Sequence, residues 1–188
     1  MEKDYQFKIL GSTLDDAIGE AYDKVARVLD LKYPGGPNVE KMALLGKPTY
    51  ELPKPVHDNT YNFSFSGLKS SIINLVHNET QRGNEIRKED LACSFQTFAI
   101  DELSRKVELA LKNIPVKEMI IAGGVSANTY LRKEIKKVTD KYQVNLHVPD
   151  IKYCTDNAAM IGAAAYPLFL KKEFSNFSLN AQSQANIK

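Results

Sequence analysis

An α/β fold is what the sequence predicts, and three observations lead to it. Apolar runs of strand length stand at residues 117–122 and 144–148. Each is followed by a longer segment that predicts a helix, at 126–141 and at 157–170. Glycine and proline interrupt the chain between such segments, most visibly in the sequence YPGGP at residues 33–37. Strands that alternate with helices are typical of the α/β class.

Composition fits one soluble globular unit. The chain has 188 residues, of which 43% are hydrophobic and 26% charged, enough to bury one core. The net charge of +2 is not the clear basic excess of a dedicated nucleic-acid-binding protein. The two cysteines form no CxxC pair, and no segment predicts a membrane span or a signal peptide. We therefore expect a cytoplasmic protein with no membrane contact.

The first part of the chain predicts a strand at residues 5–10 and a helix at 13–31. Thr13 is a suitable N-cap for that helix. Its apolar stripe consists of Ala17, Ala21, Val25 and Val28. The YPGGP sequence must end it, and a short helix is predicted at 39–45. Residues 46–62 are rich in proline and predict an ordered surface loop.

The remaining elements alternate more regularly. A turn at Ser66 and Gly67 leads into a helix, and residues 89–112 show the clearest helical period in the chain. A buried strand is predicted at 117–122, then a helix at 126–141 and a strand at 144–148. The helix predicted at 157–170 consists mainly of small residues, and the polar segment after Lys171 predicts a frayed tail.

The sequence AGGVSANTYLR joins a predicted strand to a predicted helix through Gly123 and Gly124. Glycines there allow a flat or anionic ligand to touch the backbone without meeting a Cβ. Asn128, one turn further, can hydrogen-bond a sugar or a base edge. The alternative is a tight turn that needs a positive φ, and these residues alone leave the two about equally favoured.

Three other features also allow two interpretations. Asp23 lies either on a solvated helix face or half-buried beside the apolar stripe of the first helix, where it needs a partner such as a ribose hydroxyl. Gly35 and Gly36 form either a plain helix stop or a rigid turn with exposed amides. The basic helix segment from Arg132 to Lys141 fits a solvated face better than an RNA-phosphate contact.

Asp156 stands where the helix at 157–170 begins. Its spacing favours an N-cap, although a carboxylate there can also bind a metal between two lobes. The histidines, His57, His77 and His147, stand singly, without the spacing that places two imidazoles on one helix face. A metal site built by this chain alone is therefore not expected.

Four stretches occur in a defined order and together resemble one family. They are TLDDAIGEAYDKVARVLDLKYPGGP, NFSFSGLKSSI, MIIAGGVSANTYLR and YCTDNAAMIGAAA. This set resembles the carboxy-terminal half of the TsaD family, tRNA N6-adenosine threonylcarbamoyltransferases, once labelled glycoproteases. The resemblance covers residues 5 to 170 and implies a lobe at 1–170 followed by a polar tail at 171–188.

The resemblance implies a fold and an activity. The fold is that of the actin, hexokinase and Hsp70-like (ASKHA) ATPases, two lobes around a nucleotide cleft. The activity moves a threonylcarbamoyl group from threonylcarbamoyl-AMP to N6 of adenosine 37 in tRNAs that read codons beginning with A. A bound Fe²⁺ or Zn²⁺, one per full-length subunit, is implied, as are an adenylate or ATP ligand and the partners tRNA, TsaB-like and TsaE-like proteins.

Individual residues match the family's functional positions. Asp23 resembles the nucleotide-contacting aspartate, Gly36 a backbone contact, and Glu40 an acidic residue of the same pocket. Asn128 resembles the residue that holds the adenylate, with Gly123 and Gly124 making room for its adenosine. Asp156 resembles the carboxylate metal ligand. No residue is assigned a catalytic role.

The family's amino-terminal half has no counterpart in this sequence. The HxxxH pair, the SGGHT loop and the first lobe are absent. The helix at 157–170 is expected to pack toward that lobe, without which the chain is expected to be inactive. The alternative function is a non-catalytic nucleotide-binding or scaffold module that docks a TsaB-like protein. A metalloprotease is less favoured, because the sequence holds no HExxH motif.

Overall fold

The computed structural model describes residues 7–53 and 58–181. Within them the chain forms six α-helices and a small parallel sheet. The helices are α1 (Ile18–Val28), α2 (Gly35–Ala43), α3 (Ser66–Gln81), α4 (Lys88–Asn113), α5 (Thr129–Lys141) and α6 (Ala158–Leu170), and the strands are β1 (Glu118–Ile120) and β2 (Asn145–His147). The mixture of helices and a parallel sheet agrees with the predicted class, although helix predominates.

Helices α1 to α4 enclose the main hydrophobic core. Its largest fully buried side chains include Tyr22 of α1, Ile72 of α3 and Phe95 of α4. The rings of Tyr22 and Phe95 meet edge to face, with centroids 4.9 Å apart. This geometry is favourable because the positive ring edge faces the negative ring face. Close packing here fixes the position of α1 and α2, which carry three of the seven predicted site residues, Asp23, Gly36 and Glu40.

Strands β1 and β2 form a β–α–β unit with α5. They pair in parallel, with Met119 opposite Leu146. These two side chains pack against a second core cluster made of Ile100, Leu131 and Ile135. The connection through a helix is what parallel neighbours require, since a hairpin cannot join them. Loops that leave the carboxyl ends of both strands therefore lie side by side.

The prediction of a buried strand at 117–122 is wrong for this structure. One face of the sheet is covered by α4 and α5, and the opposite face is open. Ile120 on that open face is 71% exposed. Parallel sheets normally have both faces covered by helices. Here only one face is covered, so the other stays exposed.

The beginning of the chain also differs from the prediction. Residues 7–10 form no strand, and residues 5 and 6 lie outside the described part. Helix α1 begins at Ile18, five residues after the predicted cap Thr13, which instead forms an isolated bridge with Phe63. Asp15 is engaged elsewhere, since it accepts hydrogen bonds from the N–H groups of Phe65 and Ser66 at the start of α3. This long-range contact competes with an earlier helix start.

Helix α6 makes little contact with the rest of the described chain. None of its residues is buried. The exposed large apolar side chains on α6 are Met160, Ile161, Tyr166, Phe169 and Leu170. An apolar helix that is exposed on all sides normally requires a covering surface. In the described part of the chain no helix is both long and apolar enough to span a bilayer.

Asp58 fastens the proline-rich loop to α4 through a buried cation. The side chain of Lys106 is only 3% exposed, and its ammonium group binds the Asp58 carboxylate and the carbonyl oxygen of Thr60. The hydrogen bond from Lys106, assisted by one from Thr60, lowers the pKa of Asp58 to about 2. The remainder of this loop at residues 54–57, with His57, lies outside the described residues.

This contact predicts an acid-sensitive contribution to stability. The pKa of Asp58 is lower in the folded than in the unfolded chain, so its contribution is complete above about pH 4 and disappears as the pH falls toward about 2. Asp58→Asn should lower the thermal midpoint at pH 7 and flatten its decline between pH 4 and 2. Asp150→Asn is the control, since its side chain is 76% exposed. An unchanged acid slope in Asp58→Asn would contradict the assignment.

Candidate functional site

The turn after β1 confirms the interpretation that its glycines permit a positive φ, and it leaves the ligand interpretation open. Gly123 adopts φ 86° and ψ 169°, a conformation almost restricted to glycine. A Cβ built on Gly123 or Gly124 would meet no atom within 4 Å. The turn therefore requires glycine at the first position and leaves open space beside both. A 3₁₀ helix, Gly124–Ala127, then leads into α5, where the sequence predicted a continuous helix from 126.

Asn128 is a buried helix cap. Its Oδ1 accepts a hydrogen bond from the N–H of Leu131 at 2.8 Å, which satisfies one of the amides left unpaired at the start of α5. Its Nδ2 donates to Oε1 of Gln96 at 2.9 Å. The residue is 6% exposed. Asn128 thus fixes the turn that carries the glycines, and little of its side chain faces solvent.

Gln96 and Tyr22 complete a buried polar chain that sequence reasoning missed. The Tyr22 hydroxyl also donates to Oε1 of Gln96, at 3.5 Å. Burial, with a contribution from the Glu40 carboxylate, raises the pKa of Tyr22. The phenol therefore stays protonated and remains a donor. The available signal was a glutamine next to Phe95 within an otherwise apolar face of α4.

Asp23 and the paired glycines meet at the junction of α1 and α2. The N–H of Gly35 donates to Oδ1 of Asp23 at 2.8 Å. Asp23 therefore finds its partner in the start of α2, favourable because a carboxylate stabilises the positive end of a helix. Gly35 and Gly36 form the first turn of α2. The prediction that they make a separate turn, with a helix only from residue 39, is wrong.

Glu40 connects α2 to α5. Its Oε1 accepts hydrogen bonds from the N–H of Thr129, at 2.7 Å, and from the Thr129 hydroxyl, at 2.5 Å. Thr129 directly follows Asn128, so the Glu40 carboxylate caps the same helix start from outside. The Asp23 carboxylate thus accepts a hydrogen bond from the start of α2, and the Glu40 carboxylate accepts one from the start of α5. We call this arrangement of Asp23, Gly35, Gly36, Glu40, Asn128 and Thr129 the helix junction.

A cavity of about 750 Å³ opens at the carboxyl ends of both strands. Gly123 and Gly124 form part of one wall, and Cys154 and Asp156 part of the other. Ligands in open α/β sheets bind at this end of the strands. Four of the predicted site residues belong to the helix junction and do not line this cavity. They are Asp23, Gly36, Glu40 and Asn128. The seven predicted residues therefore form two groups, which meet through the 3₁₀ turn.

The described residues do not by themselves form a metal site. Asp156 is exposed, and within residues 7–53 and 58–181 no three His, Cys, Asp or Glu side chains are grouped to hold an ion. The prediction that Asp156 caps α6 is wrong, because the Asn157 side chain accepts the hydrogen bond from Met160 at 2.9 Å. The Asp156 carboxylate is thus not used in capping, and Asp156 lines the cavity.

Acidic partners accompany most of the cations on α5. Lys136 pairs with Asp140, Lys137 with Glu134, and Lys141 with Glu108. This pattern agrees with the prediction of a solvated face. Arg132 differs from the lysines because its guanidinium turns inward.

Comparison with known proteins identifies the family. The family model described as "TsaD: tRNA N6-adenosine threonylcarbamoyltransferase" matches residues 1–163. This chain belongs to the TsaD family. A TsaD relative named tRNA N6-adenosine threonylcarbamoyltransferase from Staphylococcus haemolyticus is 46% identical over 189 aligned positions, which cover 100% of this chain and 55% of the relative.

Two further TsaD relatives carry the same name. The protein from Mycoplasma capricolum is 54% identical over 168 residues, covering 88% of this chain and 53% of the relative. The protein from Anoxybacillus flavithermus is 49% identical over 177 residues, covering 93% and 52%. The chain thus spans about half the length of the curated TsaD relatives it matches.

Proposed function

We propose that this chain contributes one lobe of a tRNA N6-adenosine threonylcarbamoyltransferase. The reaction transfers the threonylcarbamoyl group of threonylcarbamoyl-AMP to N6 of adenosine 37 in tRNAs that read codons beginning with A. The observation that carries the proposal is the cavity at the strand ends, which is lined by the open backbone of Gly123 and Gly124 and by Asp156. Membership of the TsaD family supplies the identity of the reaction.

The two groups of site residues have different tasks in this proposal. The backbone of Gly123 and Gly124 lies against the adenosine of the adenylate, since no Cβ intervenes. Asp23, Gly36, Glu40 and Asn128 belong to the helix junction, which we assign to nucleotide binding. The hydrogen bonds of Asp23 and Glu40 hold the starts of α2 and α5 in place. A preorganised junction of this kind lowers the entropy lost on binding.

The chemistry is an acyl transfer in which positioning dominates. N6 of the adenosine attacks the carbamoyl carbon, the new C–N bond forms, and the bond to the phosphate oxygen breaks. AMP leaves with the electron pair of that bond, and the proton lost from N6 passes to solvent. Holding the two reactants in line converts a bimolecular step into an effectively unimolecular one, which accounts for a large part of many enzymatic accelerations. The cavity walls provide this orientation.

We assign Asp156 as one ligand of an Fe²⁺ or Zn²⁺ ion. The described residues do not complete such a site, since they contain no suitable cluster of three donors. The other ligands belong, in this proposal, to the portion of the family's length that the chain does not span. When bound, the ion would act as a Lewis acid that holds and polarises the threonylcarbamoyl group.

The exposed helix α6 supports a requirement for further protein. Its apolar side chains, including Ile161 at 63% and Phe169 at 61% exposure, have no cover within the described chain. We propose that they pack toward the amino-terminal lobe of the family and that the 188-residue chain alone is inactive. TsaB-like and TsaE-like proteins and tRNA are the proposed partners, and the cytoplasm the proposed location.

The same observation favours a second candidate, a non-catalytic scaffold. An uncovered apolar helix also suits a module that docks a TsaB-like protein of the same superfold. Both functions require α6, whereas the scaffold requires no carboxylate in the cavity. Variants of Asp156 therefore separate them.

The proposed function is tested by depletion of the protein in its source cells. We expect threonylcarbamoyladenosine to decline in tRNAs that read codons beginning with A, with unmodified adenosine rising correspondingly, as measured by mass spectrometry of digested tRNA. A plasmid copy should restore the modification. Unchanged modification after complete depletion would overturn the proposal.

A further inference from the structure

Arg132 joins the two walls of the cavity. Its Nε donates to the carbonyl oxygen of Ser126 at 2.6 Å. Its Nη2 donates to the carbonyl oxygen of Pro149 at 2.9 Å and to Sγ of Cys154 at 3.3 Å. One side chain therefore holds two segments that are separated in sequence by the whole of α5 and β2.

These segments are the loops that leave the carboxyl ends of the two strands. Ser126 belongs to the 3₁₀ turn Gly124–Ala127, which begins at the second of the two glycines. Pro149 and Cys154 line the cavity, and Cys154 precedes Asp156 by two residues. The last backbone hydrogen bond between the segments joins the N–H of Ile121 to the carbonyl oxygen of His147, at 3.1 Å. Beyond that point, the hydrogen bonds of Arg132 connect the two loops.

The guanidinium group is suited to this task because it is planar and its donors point in fixed, different directions. Nε and Nη2 serve opposite walls at the same time. A lysine carries its donors on one nitrogen atom, so it can serve either wall but cannot keep the same separation between both. Charge also strengthens each hydrogen bond to a carbonyl oxygen.

We propose that Arg132 is a positioning residue that sets the spacing between the Gly123–Gly124 backbone and the Asp156 carboxylate. Arg132 touches neither substrate nor ion in this role; it acts through the two loops. The inference rests on the proposed function, because the spacing matters for catalysis only if the cavity holds the adenylate. The hydrogen bonds from Arg132 to the two loops are a property of the fold, and their effect on the loops can be measured without activity.

The competing role for Arg132 is the RNA-phosphate contact considered from the sequence. Its inward guanidinium argues against that role, and the exposed neighbour Lys133 offers a matched control. If Arg132 contacts RNA, replacing it will weaken tRNA binding and make that binding less salt-dependent. If Arg132 sets the spacing, replacing it will reduce the rate of transfer at saturating tRNA.

The experiment compares Arg132→Lys, Arg132→Ala and Lys133→Ala. Each variant is expressed in the full protein from its own cells and purified with its partner subunits. Hydrogen exchange is followed in peptides covering residues 122–128, 149–157 and 18–45, the last reporting on α1 and α2. The kcat and the KM for tRNA are measured with threonylcarbamoyl-AMP as donor. Arg132→Lys keeps the charge and most of the stem, so it remains informative if Arg132→Ala folds poorly.

We expect both Arg132 variants to accelerate exchange about tenfold or more at 122–128 and 149–157, with little change at 18–45. The kcat should fall about tenfold or more while KM for tRNA stays within about threefold, because a displaced carboxylate affects the reaction rather than tRNA binding. Lys133→Ala should show the same hydrogen exchange, kcat and KM for tRNA as the protein without substitutions.

Three results would overturn the inference. One is unchanged exchange at both loops in Arg132→Ala and Arg132→Lys. Another is faster exchange throughout the chain in Arg132→Lys, which indicates a role in folding alone. The third is a higher KM for tRNA with kcat retained, which indicates the RNA contact. If the unmodified protein shows no transfer, the proposed function fails, and the exchange data still decide whether Arg132 holds the two loops.

Discussion

Replacing Asp156 by Ala should abolish threonylcarbamoyladenosine in cells that carry the variant as their only copy. The carboxylate is exposed at the cavity wall opposite open glycine backbone, so its loss removes a charge from the site without leaving a buried hole. We expect the thermal midpoint to stay within about 1–2 °C of the unmodified protein, as is usual for exposed positions. Transfer should fall about a hundredfold or more, the scale reached when a reacting centre is misplaced.

Asp150→Ala is the matched control for this variant. Its side chain lies in the same loop and is 76% exposed, with Lys152 as a cation partner at 4.0 Å. Modification should persist in Asp150→Ala, as measured by mass spectrometry of digested tRNA. If modification also persists in Asp156→Ala while binding of a TsaB-like protein depends on this chain, the scaffold function replaces the transferase.

Replacing Gly35 by Ala should destabilise the protein by about 2–3 kcal/mol. A Cβ at this position would lie 2.7 Å from Cα of Asp23 and 2.8 Å from Cβ of Ala26. Neither atom belongs to a flexible side-chain end, so α1 and α2 must move apart, and overpacking of this kind costs about 1–3 kcal/mol. The displacement also weakens the hydrogen bond from the Gly35 N–H to Asp23, a further loss of about 1 kcal/mol. The thermal midpoint should fall by about 5–10 °C.

Gly36→Ala is the control, because a Cβ there would meet nothing within 4 Å. Alanine is the better helix former, so stability should be unchanged or higher by up to about 1 kcal/mol. The same variant tests nucleotide binding, since the resemblance assigns Gly36 a backbone contact. AMP affinity, measured by calorimetry, should weaken in Gly36→Ala although the fold is intact. Equal stability in Gly35→Ala and Gly36→Ala would contradict the close approach of α1 and α2.

Sequence patterns predicted elements well where the signal is local and repetitive. The helical period at 89–112 anticipated α4 (Lys88–Asn113) to within one residue at each end. The two short strands and the intervening helix were also predicted in the correct order. Such patterns succeed because the direction in which side chains point along a helix or strand depends only on the repeat of that element.

Predictions of helix caps failed where another group competes with the predicted capping residue. Thr13 does not cap α1, since Asp15 and Phe63 draw this segment toward the start of α3. Asp156 does not cap α6, because the adjacent Asn157 reaches the same amide. Two residues with equal capping ability cannot be distinguished by propensity, and the exact end of a helix depends on which one the surrounding chain leaves available.

The sequence by itself determined the order of the elements from α1 onward and the family, whereas the positive φ of Gly123 was established by the structure. Only the tertiary structure decided the partners of the polar side chains. Asp23 binds an amide 12 residues away, Asn128 a glutamine 32 residues away, and Glu40 a threonine 89 residues away. A repeat in the sequence indicates which residues share one face of a helix or strand. The hydrogen-bond partners of these three side chains depend instead on how separate helices pack together. That docking follows from burial of the whole core, and no single motif contains it.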